Sequence, residues 1–315
     1  MNTVNTKHDA ASYESLSGYQ REILYDANAL YDAFLNAKHG SSWKPQVQKY
    51  EMNYLINLAN MQEEIRNYTY QFLPSTDFIM NERGKTRLIN GEQMPDRTIK
   101  HVLCDEVLNP DIAKYLIFDN AASQKGKGIS FTRRRLVYHL QRYYKLHGNN
   151  DGYILLIDYS KYYDNIRHDI LMNLFRKYIK DERALWLLQM TVDRSKVDVS
   201  YMTDEEYENS MNGLFNSLEH EQVDKRLLTG ERMMKKHLNI GDQVAQTAGI
   251  AYPIPIDNYI KIVKGMKFYA RYMDDSYIIH ESKEYLQELL QEIIKIASDI
   301  GIVINTKKDL YLQAI

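Results

Sequence analysis

The sequence predicts an α+β fold built on a βαββαβ, ferredoxin-like antiparallel sheet with helices on one face. Three observations predict it. Tyr153-Ile154-Leu155-Leu156-Ile157 is a continuous apolar run of buried-strand length that ends in Asp158. Two further apolar-rich runs, Phe268 to Tyr272 and Ser276 to His280, are separated by three residues, room only for a tight turn. Segments with one apolar face at helical spacing separate and follow these runs.

Taken in order, residues 1–18 are polar and expected to be loose, and amphipathic helices are expected between Ala27 and Tyr70. After strand 153–158, residues Ile170, Leu171, Leu174, Phe175 and Tyr178 fall on one helix face. Strands 267–272 and 276–280 follow further helical material. A helix then places Leu286, Leu289, Leu290, Ile293, Ala297 and Ile300 on one face, with Ser282 as its N-cap and Glu284 in its first turn. Ile302 to Ile304 is expected to be the closing strand. In this split arrangement the first and second strands are parallel, with the third antiparallel between them. Asp158 and the hairpin residues Asp274 and Asp275 are thereby expected on one sheet edge.

Two adjacent carboxylates at a hairpin tip repel and raise each other's pKa unless a cation intervenes. A carboxylate leaving a buried strand also needs a partner. Oxygen-only donors suit magnesium, with manganese as a substitute, rather than zinc. Three carboxylates on one edge are expected to hold two ions about 3.5–4 Å apart, the arrangement that clamps attacking and leaving oxygens in phosphoryl transfer.

Six motifs in order carry a resemblance. They are Gly84-Lys85-Thr86-Arg87-Leu88-Ile89 with Asp96-Arg97; Ser123-Gln124-Lys125-Gly126-Lys127-Gly128-Ile129; Asp158 with Tyr163; Ile240-Gly241-Asp242-Gln243-Val244-Ala245-Gln246; Tyr272-Met273-Asp274-Asp275; and Ile304-Asn305-Thr306-Lys307-Lys308. Together they resemble bacterial reverse transcriptases related to those of group II introns and diversity-generating retroelements. One departure is Ala245-Gln246, where the family usually has Ser-Gln.

The resemblance implies a right-hand polymerase with fingers over 71–150 and palm over 151–315, after a helical extension over 19–70. It also implies that the thumb is absent or incomplete, leaving a separate thumb polypeptide or accessory protein as a partner. Asp158, Asp274 and Asp275 would bind the metals. Lys85 and Arg87, two apart in a strand and so on one face, would grip the triphosphate. Tyr163 would lie under the sugar and select deoxynucleotides; its bland alternative is a core tyrosine, one of 26. Ile240, Gly241 and Gln246 would shape the nucleotide pocket. Ile240 stands where many relatives carry Gln, and it lacks that side chain's hydrogen bonds to the nascent pair. Lys308 would donate a proton near the leaving pyrophosphate or be a solvated lysine.

Net charge is −2, so no global basic field marks a nucleic-acid partner. From Gln124 to Lys145, however, there are seven Lys or Arg and no acid, with Tyr138, Tyr143 and Tyr144 interleaved. Lys125, Lys127, Arg133, Arg134 and Arg135 are the candidate contacts to a template strand. From Met202 to Asp224 there are seven acids and no Lys or Arg. Residues 193–236 read as an insertion on the palm, facing a partner or merely tolerated. No transmembrane-length apolar run or signal-peptide core is present, Cys104 reads as a buried thiol, and the Gly-Lys pairs near 125–128 do not form a P-loop, so a cytoplasmic protein without membrane attachment is expected.

The implied function is RNA-templated DNA synthesis from dNTPs on a DNA or RNA primer, in a mobile element or prophage. Two alternatives stay open: template-independent or defence-linked synthesis on the same palm, and a non-catalytic RNA-binding remnant.

Overall fold

The computed structural model describes residues 21–82, 84–305 and 311–313. Lys308 lies outside them. The elements in chain order are α1 (Ala27–Lys38), α2 (Pro45–Met52), α3 (Tyr54–Arg66), β1 (Thr76–Glu82), β2 (Lys85–Gly91), α4 (Met94–Leu103), α5 (Asn109–Ala113) and α6 (Ile129–His147). There follow β3 (Tyr153–Ile157), α7 (His168–Tyr178), α8 (Glu182–Arg194), β4 (Val197–Asp198), α9 (Asp204–Asn212), α10 (Ser217–His220) and β5 (Met233–Met234). The last are α11 (Gln243–Ala251), α12 (Ile254–Asn258), β6 (Tyr269–Tyr272), β7 (Asp275–His280), α13 (Lys283–Asp299) and β8 (Tyr311–Gln313). They form two compact units. One comprises the chain to Ile112 with Phe175–Asp193 and Gly241–Val244; the other comprises Ala113–Leu174, Arg194–Ile240 and the chain from Ala245.

In the first unit, Asp26 caps α1 by accepting from Asn28 N and Ala29 N at 2.9 Å each. The helix buries Leu30, Ala33, Phe34 and Ala37, and packs on α3 and α4. Such a stripe supplies most of a short helix's stability. Pro95 opens α4, where a missing N–H costs nothing. The Asp96-Arg97 pair serves packing here. Asp96 is buried and accepts from Tyr70 Oη at 2.7 Å and Leu73 N, while Arg97 donates to Ser41 Oγ at 3.1 Å and to Ala37 O. β1 and β2 form an antiparallel hairpin from Thr76↔Gly91 to Glu82↔Lys85.

The second unit contains the four-stranded sheet in the order β6-β7-β3-β8. β7 is antiparallel to both neighbours, so β3 and β6 are parallel across it. The strand order and directions are those of the expected split βαββαβ arrangement, but helices cover both faces of the sheet rather than one, because α6 also packs on it. α12 lies on one face, where its Asp257 receives Tyr269 and Arg271, and α13 contacts both α12 and β7. On the other face Leu136, Leu140 and Tyr143 of α6 pack with Ile154, Leu156, Ala270, Tyr277 and Ile279. Ser282 caps α13 as expected, accepting from Tyr285 N at 3.0 Å.

Two further expectations are corrected. Ile302 to Ile304 is not a strand; Ile304 makes a single bridge to Tyr159, and the fourth strand is β8, paired with Tyr153–Leu155. The reason is position: 303–305 run beside 158–160, where the chain has already left β3, with Ser160 N donating to Val303 O and Asn305 N to Asp158 O. The hairpin between β6 and β7 is also one residue tighter than expected. Its turn is Met273-Asp274, and Asp275 is a strand residue paired with Tyr272. Within 193–236, β4 and β5 pair over a small cluster of Val199, Phe215 and Met234.

Candidate active site

The β3–β7 ladder ends at Ile157↔Ser276. Asp158 directly follows Ile157 as the chain leaves β3, and Asp275 directly precedes Ser276 in β7, so both carboxylates stand at this end of the ladder. Both line a cleft of about 360 Å³ with Tyr272, Tyr277 and Thr132 of α6. Asn305 fixes Asp158 from the side, its Nδ2 donating to Asp158 Oδ2 at 3.0 Å. Asp274 occupies the turn itself and is not among the lining residues of that cleft.

Among the described residues no group of three His, Cys, Asp or Glu side chains is gathered closely enough to hold a metal ion by itself. What is present is a pair of carboxylates with a third in the adjoining turn. That donor set still fits magnesium, which is commonly held by one or two carboxylates plus substrate phosphates rather than by an all-protein cage.

Arg271, which sequence reasoning missed, anchors the hairpin. Its side chain is fully buried, with Nε and Nη2 clasping Asp257 at 2.9 and 2.7 Å. Nη1 donates to Met273 O and Nη2 to Ile250 O, both at 2.8 Å. Burial alone would lower its pKa, but the Asp257 charge and hydrogen bonds outweigh that and raise it. The carbonyl anchor matters because Met273 has φ +57°, a left-handed conformation uncommon for a non-glycine residue. The signal was a lone arginine inside a buried strand, which demands a partner.

Tyr163 reaches the same turn, with its hydroxyl 3.4 Å from Met273 Sδ. Gly249 of α11 makes this approach possible: a Cβ there would lie 2.7 Å from Met273 Sδ and 2.9 Å from Tyr163 Oη. Gln246, one turn earlier, is exposed and accepts from Ser123 Oγ at 3.4 Å. Ile240 is half-buried. The structure thus brings together Asp158, Asp275, Tyr163 and the turn.

Lys85, Arg87 and Gly241 belong to the first unit. Lys85 is exposed and Arg87 half-buried. Ile89 shares their face of β2, and a Cβ on Gly241 would lie 3.4 Å from Ile89 Cγ2. At φ +109°, Gly241 takes a backbone conformation that side chains resist. The next residue, Asp242, is buried in an ion triad in which Lys100 Nζ donates to Asp242 at 2.5 Å and to Glu92. Burial and the nearby Asp242 push Glu92 up to about 7, against the pull of Lys100.

Of the candidate strand contacts, Lys125, Arg133 and Arg134 are exposed. Lys127 and Arg135 are engaged internally: Lys127 donates to Phe118 O and Asn120 O at 2.8 and 2.9 Å, and Arg135 pairs with Asp119 at 2.5 Å. Sequence spacing cannot distinguish these two groups.

Residues 76–312 match the family described as reverse transcriptase (RNA-dependent DNA polymerase). The chain belongs to this reverse transcriptase family. Among curated proteins it is similar to Protein YkfC of Escherichia coli (strain K12), 26% identical over 150 residues, 46% of this chain and 37% of that protein. The match thus spans little more than a third of that relative's length. Among solved structures, telomerase from Candida albicans in complex with a fragment of telomeric RNA aligns over 85% of this chain and 46% of that one, at 11% identity and a TM-score of 0.48. No helix among the described residues is long and apolar enough to cross a membrane.

Proposed function

We propose that this reverse transcriptase-family chain performs RNA-templated DNA synthesis by two-metal nucleotidyl transfer from dNTPs to a DNA or RNA primer. The observation that carries the reading is the placement of Asp158 and Asp275 at adjacent ends of β3 and β7, around one cleft. In the reaction the primer 3′-oxygen forms a bond to the α-phosphorus while the bond to pyrophosphate breaks. Bound magnesium would supply charge neutralisation for both oxygens and acidify the primer hydroxyl. The protein's part is positioning. Asp158 and Asp275, with Asp274 from the turn, provide the anionic donors, and Asn305 orients Asp158.

Tyr163 is read as the sugar gate, supported by its contact with Met273 in the catalytic turn. Lys85 and Arg87 are read as triphosphate ligands, and Ile240, Gly241 and Gln246 as the wall of the nucleotide pocket. Lys125, Arg133 and Arg134 are read as contacts to the template backbone. Lys308 keeps its proposed role near the pyrophosphate from sequence alone. The Ile240-Gly241 start of the pocket motif, with Gln246 six residues after Ile240, resembles the diversity-generating group and supports a mobile-element or prophage setting.

Primer extension with matched RNA template, DNA template and no template tests this. Product on RNA is expected. Product of equal yield without template would replace this reading with template-independent synthesis, and RNA binding without any product would replace it with a binding remnant.

A further inference from the structure

Phe118 lies in a surface turn with its side chain 66% exposed, although the turn that carries it is firmly held. The neighbouring Asp119 points inward and is 5% exposed. It is clasped by Arg135 Nε at 2.5 Å, Lys261 Nζ at 3.2 Å and His139 Nε2 at 3.5 Å. Burial works against its charge, yet hydrogen bonds from His139 and Arg135 and the Lys261 charge hold its carboxyl below the usual range. The following residue, Asn120, bridges in parallel to Arg271 of β6. The Phe118 backbone is thus fixed from the core side while its ring faces solvent.

The ring is flanked by cations. Lys127 Nζ donates to the Phe118 carbonyl and sits 5.3 Å from the ring centroid, Arg135 lies 5.1 Å from it, and Phe131 meets it edge-on at 5.7 Å. Exposed Lys125, Arg133 and Arg134 belong to the same acid-free stretch. Thr132, which follows Phe131 in α6, lines the cleft with Asp158 and Asp275, and the Asn120 bridge ties the Phe118 turn to the strand that leads into the hairpin turn.

An exposed aromatic ring held from the core side, flanked by Lys127 and Arg135 and borne by an acid-free basic stretch, fits an unpaired base stacked on the ring with phosphates on the exposed charges of that stretch. A duplex fits less well, because its bases are already stacked on one another. We propose that Phe118 is the stacking platform for an unpaired base of a single-stranded nucleic acid beside the catalytic cleft, its backbone gripped by Lys125, Arg133 and Arg134. Stacking is sequence-tolerant, so the platform accepts any base. This assignment rests on the nucleic-acid reading above.

The test is equilibrium binding of a fluorescent single-stranded RNA oligonucleotide to wild type, Phe118→Ala, Phe118→Trp and Arg134→Ala over a salt series, without metal or dNTPs. Phe118→Ala is expected to weaken binding about 5- to 150-fold, the range for losing one base stack, with the salt slope unchanged. Phe118→Trp should retain affinity, Arg134→Ala should lower the salt slope, and binding of a blunt duplex should not respond to Phe118→Ala. Wild-type binding that Phe118→Ala leaves intact would overturn the platform alone. Failure of wild type to bind single strands would overturn the platform and the nucleic-acid reading together. Because the ring is mostly exposed, its truncation should leave the thermal midpoint near that of wild type.

Discussion

Arg271 and Asp257 form a fully buried, two-pronged ion pair beneath the β6–β7 hairpin. Arg271 uses its remaining donor capacity on the carbonyls of Ile250 and Met273, so the pair connects α12 and the end of α11 to the turn. Removing one member leaves an uncompensated buried charge, which costs about 3–5 kcal/mol. Asp257→Ala should therefore lower the urea midpoint strongly at constant m-value, and Arg271→Met with Asp257→Leu together should recover much of that loss. A single-variant cost under about 1 kcal/mol would mean the pair is more hydrated than its burial indicates.

The Glu92–Lys100–Asp242 triad makes stability pH-dependent. The folded-state pKa of Glu92 is raised from 4.5 to about 7 by burial and by Asp242. The folded state therefore holds the Glu92 proton more tightly than the unfolded chain does. That contribution is complete below 4.5 and is lost as pH rises through about 7. Wild type should lose stability relative to Glu92→Gln between pH 5 and pH 8, read from denaturant midpoints at both values. Parallel curves for the two proteins would contradict the raised pKa.

If the proposed site is right, Tyr163 should govern sugar selection, because its hydroxyl meets Met273 in the turn that carries Asp274. Tyr163→Ala is expected to reduce the preference for deoxynucleotides over ribonucleotides, measured as a ratio of kcat/KM, by about 10- to 200-fold, the range that pocket shape commands. Gly249→Ala should disturb the same contact from the other side, since its new methyl meets both Met273 and Tyr163, and cost about 1–3 kcal/mol through overpacking. An unchanged sugar ratio in Tyr163→Ala would return this residue to a packing role.

In the proposed nucleotide pocket, Ile240 lacks the hydrogen bonds that a glutamine would offer a nascent pair. Ile240→Gln should lower the misincorporation frequency on a defined RNA template. Equal error rates in the two proteins would remove Ile240 from the account of fidelity.

Much of the second unit was legible because strand periodicity and a charged residue at a strand end are local signals. The run 153–157 and the hairpin at 268–280 specify the β3–β7–β6 ladder, and Ser282 announces its helix. The fourth strand was misread because Ile302 to Ile304 is apolar enough for a strand but emerges beside 158–160, beyond the end of β3. Contacts between residues far apart in sequence were not legible: Gly249 reads as an ordinary helix residue, and Asp257 carries no mark of its arginine. The basic stretch was visible as charge, but its division into exposed Arg133 and Arg134 and internally paired Lys127 and Arg135 depends on tertiary neighbours.

The central claim is that Asp158 and Asp275, brought side by side at the ends of β3 and β7, are the anionic floor of a metal-dependent polymerase site. Primer extension on an RNA template with dNTPs and magnesium or manganese, comparing wild type with Asp158→Asn, Asp274→Asn and Asp275→Asn, tests it most directly. The account predicts metal-dependent extension by wild type and a loss of about 10²-fold or more in the Asp158 and Asp275 variants. Asp274→Asn, altering the adjoining turn carboxylate, should also be impaired. Extension by Asp158→Asn and Asp275→Asn at the wild-type rate would contradict it.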